Sequence, residues 1–126
     1  MKASYILAPA LAAGALFASQ AALAADPDNG ADLFDSYCSD CHSVSAKVAN
    51  RKGPSLYHIG GRKAGAIPGF KYSPAMKASN ITWTAASLNA YLANPKVVLP
   101  TGIMKYKGMP KPEDRADLIA YLATLR

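Results

Sequence analysis

The stretch Cys38-Ser39-Asp40-Cys41-His42 decides how this chain folds. Two cysteines three positions apart near the end of a helix lie on the same side of one turn. Both thiols can therefore bond the vinyl groups of one porphyrin as thioethers. The next residue, His42, is then carried beneath the ring, where an imidazole nitrogen can ligate the iron. The C-x-x-C-H pattern predicts one covalent c-type haem, attached through Cys38 and Cys41.

Two other uses of paired cysteines remain as alternatives. A redox disulfide of the thioredoxin kind needs a βαβ pattern around the motif, and the sequence has none. A zinc site needs about two further ligands. The chain has no other cysteine and only one other histidine, His58, so carboxylates would have to complete such a site.

The N-terminus has the pattern of a secretory signal peptide. Lys2 gives a positive start, an apolar run covers residues 5–17, and small residues precede the first acid. We predict cleavage after Ala24, with Ala25 as the close alternative, and export to the periplasm. An uncleaved membrane anchor fits less well, because the apolar run is short for a membrane span and is interrupted by proline and glycine.

The predicted organisation is a signal peptide over residues 1–24 and one domain over residues 25–126. Removing Lys2 leaves 13 basic against 8 acidic residues, a formal charge of +5. A domain of about 100 residues has a thin core, and two cysteines three positions apart provide no disulfide framework. We therefore expect a buried haem to complete the core and the haem-free chain to be largely unfolded.

Helical patterns occupy both ends of the mature chain. Asp28 or Asn29 can cap a first helix that runs to about Cys38, and Pro112 opens a last helix with an apolar stripe. Gly30 lies on the apolar face of the first helix. Since glycine inside a helix costs about 1 kcal/mol, we expect it to permit a close crossing of the N- and C-terminal helices.

The middle of the chain is rich in turn residues. Residues 43–82 contain repeated Gly and Pro breaks, and a further helix is predicted from Thr84 to about Asn94, where Pro95 stops it. So loop-rich a stretch suits a domain whose loops wrap a ligand. The predicted fold class is all-α, with loops wrapped around one covalent haem.

The residues alone leave the second iron ligand open among His58, the lysines, Met76, Met104 and Met109. A methionine in a core is usually a gap-filler. Met104, however, ends a segment, residues 94–104, that has two prolines and no helical or strand pattern. A stiff loop that ends in a thioether suits a presented ligand.

The sequence resembles the class I cytochromes c, and closely the mitochondrial type and its short periplasmic bacterial relatives. The resemblance covers nearly all of the mature chain without an evident gap. The matching stretches are Gly30 with Phe34, residues 38–42, Gly53-Pro54-Ser55-Leu56, Gly60-Gly61-Arg62-Lys63, Pro68-Gly69-Phe70 with Tyr72, Ile81-Thr82-Trp83, Tyr91-Leu92, Asn94-Pro95-Lys96, Pro100 with Met104, and Arg115 with residues 117–122.

The resemblance implies a set of site residues. His42 and Met104 would be the axial ligands, and the Pro54 carbonyl would accept the free imidazole N–H of His42. The other implied contacts are Arg62, Tyr72 and Trp83 at the haem propionates and Tyr91 at the sulfur of Met104.

The sequence departs from the family pattern in the ligand loop, at Met76 and, mildly, at Tyr106, where the family usually has phenylalanine. Thr101-Gly102-Ile103 stands where the family usually has Gly-Thr-Lys, and Met76 stands where it tends to carry asparagine. The first change moves the threonine by one position, so we do not expect its hydroxyl to form the hydrogen bond that normally rigidifies the ligand loop. We therefore expect a somewhat more labile Met104 loop.

The expected function is that of a soluble, monomeric one-electron carrier and not of an enzyme. Its partners would be acidic redox proteins, with a quinol-oxidising complex as donor and an oxidase or photosynthetic reaction centre as acceptor. Neither nucleic acid nor stable membrane insertion after cleavage is expected. A small peroxidase or gas sensor is the rival, and it would need Met104 to be mobile. The lysines expected around the haem edge are Lys52, Lys96, Lys105, Lys107 and Lys111.

Overall fold

Five helices form the regular structure of residues 24–47 and 49–126, which are the residues described by the computed structural model. The predicted signal peptide lies outside this part of the chain apart from Ala24. In chain order the helices are α1 (Pro27–Tyr37), α2 (Pro74–Ala78), α3 (Ala85–Ala93), α4 (Pro95–Val98) and α5 (Pro112–Ala123).

Helix α1 begins at a proline and is capped by the acid before it. The Asp26 carboxylate accepts hydrogen bonds from the backbone N–H groups of Asp28 and Asn29, at 2.9 and 3.3 Å. The prediction of Asp28 or Asn29 as the cap is therefore wrong. Pro27 suits the first helical position, where its missing N–H costs nothing, and this moves the start of the helix towards the N-terminus.

Helices α1 and α5 cross where the sequence predicts, at Gly30. A Cβ atom on Gly30 would lie 2.1 Å from the backbone oxygen of Asp117, so only glycine fits between the two backbones. Leu118 and Leu122 on α5 are almost fully buried, at 1% and 3% exposure. The prediction of an all-α fold closed by its terminal helices is confirmed.

Helix α3 lies beside α5 and carries three buried side chains, Leu88, Tyr91 and Leu92. Its start is fixed by a capping box, in which the Thr84 hydroxyl accepts from the Ser87 N–H and the Ser87 hydroxyl accepts from the Thr84 N–H. The predicted helix thus agrees with the observed one to within a residue at each end.

Two short helices are absent from the sequence-based prediction. Helix α2 follows the Ser73 cap and α4 follows the Asn94 cap, each with proline at its first position. The sequence pattern predicts only breaks at these two prolines.

The described residues contain no strand, apart from one isolated bridge between Lys63 and Thr82. None of the described helices has the length and apolar character needed to cross a membrane.

Candidate functional site

A cavity of about 310 Å³ lies between the helices and the long central loop. This volume is at the lower end of the range for small-molecule and cofactor sites. Its walls come from α1, α2, α3 and α5 and from loop residues on both sides of α2. The apolar and aromatic side chains that line it include Phe34, Leu56, Ile59, Phe70, Met76, Trp83, Leu88, Tyr91, Leu92, Leu118 and Leu122.

Both cysteines of the motif line this cavity. Cys38 ends α1, and the chain then turns, with the N–H groups of Cys41 and His42 donating to the Cys38 carbonyl at 3.1 and 2.9 Å. Burial raises the pKa of the Cys38 thiol to about 11, and neighbouring Cys41 adds to the effect. The site therefore disfavours a thiolate and suits an uncharged sulfur such as a thioether.

His42 is held as a neutral imidazole, and one of its ring nitrogens is engaged in a hydrogen bond. Its Nδ1 lies 2.7 Å from the carbonyl oxygen of Pro54. Burial lowers the pKa of His42; the Pro54 hydrogen bond opposes this shift, and the positive charge of Arg62 adds to it. A neutral ring that donates Nδ1–H to Pro54 leaves the Nε2 lone pair available to a metal.

Gly53 completes the support of the histidine ring. A Cβ atom on Gly53 would lie 2.5 Å from Cε1 of His42, and the Gly53 N–H donates to the Cys41 carbonyl at 2.8 Å. We did not predict this role for Gly53. Its position directly before Pro54 was the available signal, because a residue that presents a carbonyl to an imidazole brings its neighbour against the same ring.

Met104 also lines the cavity and is half-buried. Its loop is joined to α4, since Lys96 Nζ donates to the Gly102 carbonyl and the Gly102 N–H donates to the Leu99 carbonyl at 3.0 Å. Among the alternative ligands, Met76 lines the cavity too, whereas Met109 is buried in the core outside it.

The remaining predicted residues, Arg62, Tyr72, Trp83 and Tyr91, all border the cavity. Arg62 donates to the carbonyls of Ser55 and Tyr57, at 2.7 and 3.3 Å. The hydroxyl of Tyr72 accepts from the Ile67 N–H at 3.2 Å.

Trp83 and Tyr91 are both buried; their ring centroids lie 5.1 Å apart, and the ring planes are inclined to each other by 55°. Burial raises the pKa of the Tyr91 hydroxyl. His58, predicted to lie in a surface loop, is exposed and does not border the cavity.

The donor set fits a covalently attached haem. A single apolar cavity is bordered by the two cysteines, by one neutral imidazole and by the thioethers of Met76 and Met104, and Arg62 and Tyr72 border the same cavity. Apolar walls suit a porphyrin ring, and the polar side chains suit its carboxylates.

Comparison with known proteins gives the same family. The family model for cytochrome c matches residues 27–126. Cytochrome c2 of Rhodomicrobium vannielii is 46% identical over 112 residues, which cover 89% of each chain. Cytochrome c2 of Rhodopila globiformis is 45% identical over 80% of this chain and 94% of its own, and cytochrome c of Euglena viridis is 44% identical over 80% and 98%. This chain belongs to the cytochrome c family as a class I c-type cytochrome, and its cofactor is one covalent haem c.

Proposed function

We propose that this protein is a soluble one-electron carrier whose iron is ligated by His42 and Met104, and that it is not an enzyme. One observation carries the proposal: the imidazole with its free Nε2 and the thioether of Met104 border the same cavity as the two cysteines. Two protein ligands leave no open iron position for a substrate. Bound haem supplies reversible one-electron chemistry between ferric and ferrous iron.

The side chains around the cavity have distinct tasks in this proposal. Pro54 orients the His42 ring, burial keeps that ring neutral, and the apolar walls exclude water. Arg62, Tyr72 and Trp83 neutralise the buried propionates or form hydrogen bonds with them. The Tyr91 hydroxyl donates a hydrogen bond to the Met104 sulfur. A thioether ligand favours the ferrous state and raises the reduction potential.

The partners we propose are acidic redox proteins that dock at the mouth of the cavity. Lys52 and Lys105 are exposed and border it. Tyr37 and Ile103 are each 60% exposed and directly precede Cys38 and Met104. Lysines steer an acidic partner and accelerate association, whereas exposed apolar side chains contribute contact area that salt does not screen.

In this proposal the donor is a quinol-oxidising complex, and the acceptor is an oxidase or a photosynthetic reaction centre. The N-terminal sequence supports a periplasmic location after removal of residues 1–24, and the docking surface supports a monomer that forms short-lived complexes. The mass of protein purified from a periplasmic extract tests the cleavage: an intact N-terminus would contradict export with processing.

The visible spectrum tests the ligand assignment. We expect low-spin spectra in both oxidation states, a weak far-red sulfur–iron band when oxidised, and no change with carbon monoxide. Met104→Leu should abolish the far-red band, and the matched control Met109→Leu should keep it. A high-spin spectrum or ready carbon monoxide binding in the unaltered protein would contradict the proposal and favour a peroxidase or gas sensor.

Ionic strength tests the docking surface. Oxidation by an acidic partner oxidase should slow as salt increases, and Lys105→Glu should reduce both the rate and its salt dependence. Lys63→Glu is the control, because Lys63 is exposed but does not border the cavity. A rate that does not depend on ionic strength would contradict the assignment of acidic partners.

A further inference from the structure

Asn29 and Gly30 form the only Asn-Gly pair of the chain; the other asparagines precede Arg51, Ile81, Ala90 and Pro95. Asn-Gly is the sequence in which an asparagine side chain deamidates most readily. Glycine has no side chain to hinder its backbone nitrogen, so this nitrogen can reach the Cγ atom of the preceding asparagine. Here the pair lies in the first turn of α1, at the crossing with α5.

Both reacting groups are held in the folded protein. The side-chain amide of Asn29 donates to Oδ2 of Asp117 at 2.9 Å. The Gly30 N–H, which carries the attacking nitrogen, donates to the Asp26 carbonyl at 3.0 Å. Asp117 also accepts from the Asp26 N–H through Oδ1 at 2.7 Å. One carboxylate on α5 thus holds the capping residue and the amide of α1 together.

Asn29 is nevertheless exposed, so water reaches its side chain. Protection of the amide therefore comes from geometry and not from burial. The side chain must leave Asp117, and the first helical turn must open, before the glycine nitrogen can approach Cγ. Helix ends open locally with a smaller free energy than the whole fold.

We propose that Asn29 is a deamidation site that Asp117 keeps unreactive while α1 is docked on α5. When the contact opens, the Gly30 nitrogen loses its proton and bonds to Cγ of Asn29. The Cγ–Nδ2 bond breaks and ammonia leaves. Water then opens the succinimide ring at one of its two carbonyls and yields aspartate or isoaspartate. Water is the only co-reactant.

Either product opposes renewed docking. The hydrogen bonds from Asp26 and Asn29 lower the pKa of Asp117, so its carboxylate is ionised at neutral pH. An aspartate at position 29 replaces an amide donor with a second negative charge. An isoaspartate adds one backbone atom before Gly30, where the approach to Asp117 leaves no room even for a Cβ atom. The reaction therefore marks chains that have spent time with the terminal helices apart.

The test follows deamidation of the holoprotein at neutral pH by peptide mass mapping, with enzymatic methylation to detect isoaspartate. We expect Asn29 to react at least about tenfold more slowly in the folded protein than in the same protein unfolded in urea. Asp117→Ala should accelerate the reaction in the folded protein by at least about fivefold, the effect of losing the one hydrogen bond that holds the Asn29 amide. The other four asparagines serve as internal controls.

A second variant separates the specific contact from general loss of stability. Ser87→Ala removes the capping box of α3, away from α1, and should leave the Asn29 rate unchanged. If Asp117→Ala does not fold, Asp117→Asn retains an acceptor oxygen and should show a smaller acceleration. Equal acceleration in Ser87→Ala, or equal rates in folded and unfolded wild-type protein, would overturn the proposal.

Discussion

Gly53 and Pro54 fix His42 from two sides. The proline carbonyl selects the Nδ1–H tautomer, and the absent side chain of Gly53 leaves room for the ring. Orientation and protonation of a metal-ligating histidine are normally set by such neighbours. In the proposed ligation, Nε2 of His42 would need neither deprotonation nor rotation before it bound iron.

Gly53→Ala should disturb this arrangement strongly. The new methyl group would lie 2.5 Å from the imidazole, so the ring or the backbone must shift, at a cost of about 1–3 kcal/mol. Denaturant unfolding of the holoprotein measures the loss, and the spectrum reports weakened histidine ligation.

Gly60→Ala is the control for this prediction. A Cβ atom on Gly60 meets nothing within 4 Å, and its backbone does not adopt a positive φ. Its effect should stay within about 0.5 kcal/mol. Equal stabilities of the Gly53→Ala protein and this control would show that the histidine ring does not depend on the glycine.

At the residue scale, the sequence predicts site residues best where neighbours along the chain form the site together. Cys38, Cys41 and His42 border one cavity because five consecutive residues hold them together. The proline-stiffened loop favours Met104 as a presented ligand and the family resemblance implies it, whereas the cavity does not separate it from Met76, since both line it. The role of Gly53 depends on a contact with the His42 ring, and its position directly before Pro54 is the local signal for it.

The crossing of α1 and α5 is the main contact between elements. Gly30→Ala should destabilise the protein by about 1–3 kcal/mol, although alanine alone favours a helix by about 1 kcal/mol. Steric overlap dominates, because the obstacle is the backbone of α5 and not a flexible side chain. Chemical denaturation of the holoprotein gives the value.

Asp32→Ala, at an exposed position of the same helix, provides the comparison for Gly30→Ala. It should change stability by no more than about 0.5 kcal/mol. A Gly30→Ala protein as stable as wild type would mean that the two backbones can separate without cost.

The segment from α4 to Met104 is held by two hydrogen bonds at Gly102, one of which comes from a lysine. Lys96 donates to the Gly102 carbonyl, so Lys96→Ala should loosen a loop that already lacks the usual hydroxyl position. In an alkaline titration of the far-red sulfur–iron band, we expect its midpoint to fall by roughly half a pH unit. Lys107→Ala, an exposed lysine beyond Met104, should leave the midpoint unchanged.

A wild-type midpoint as high as in relatives with the usual Gly-Thr-Lys loop would contradict the expected lability. An unchanged midpoint in Lys96→Ala would show that this hydrogen bond does not hold the loop.

The elements that sequence reasoning missed are the shortest ones. Helices α2 and α4 contain five and four residues, too few for a hydrophobic period to appear. Ser-Pro and Asn-Pro mark both turns and helix starts, since serine and asparagine cap helices and proline suits the first helical position. The dipeptide alone cannot distinguish a turn from a helix start, and here tertiary packing made that choice.

At the scale of the whole molecule, the cavity occupies the centre of the core. Phe34, Leu88 and Leu118 come from three different helices, and all face it. Burial of a porphyrin there would contribute on the order of 10 kcal/mol. We therefore expect the haem-free chain to be largely unfolded.

Circular dichroism and thermal scans of chain expressed without haem attachment test this expectation against the holoprotein. We expect little helical signal and no sharp transition. A cooperative transition close to that of the holoprotein would show that the polypeptide can close its own core.

The crossing of the terminal helices also sets an order of events during maturation. Cys38 and Cys41 lie about eighty residues before Leu118 and Leu122, which close the cavity from α5. Because we expect the haem-free chain to be largely unfolded, both thiols stay accessible after α5 is complete and remain free of the burial that raises the pKa of Cys38 in the closed fold. We therefore expect thioether formation to come first, and the docking of α5 on α1 to follow once the ring fills the cavity.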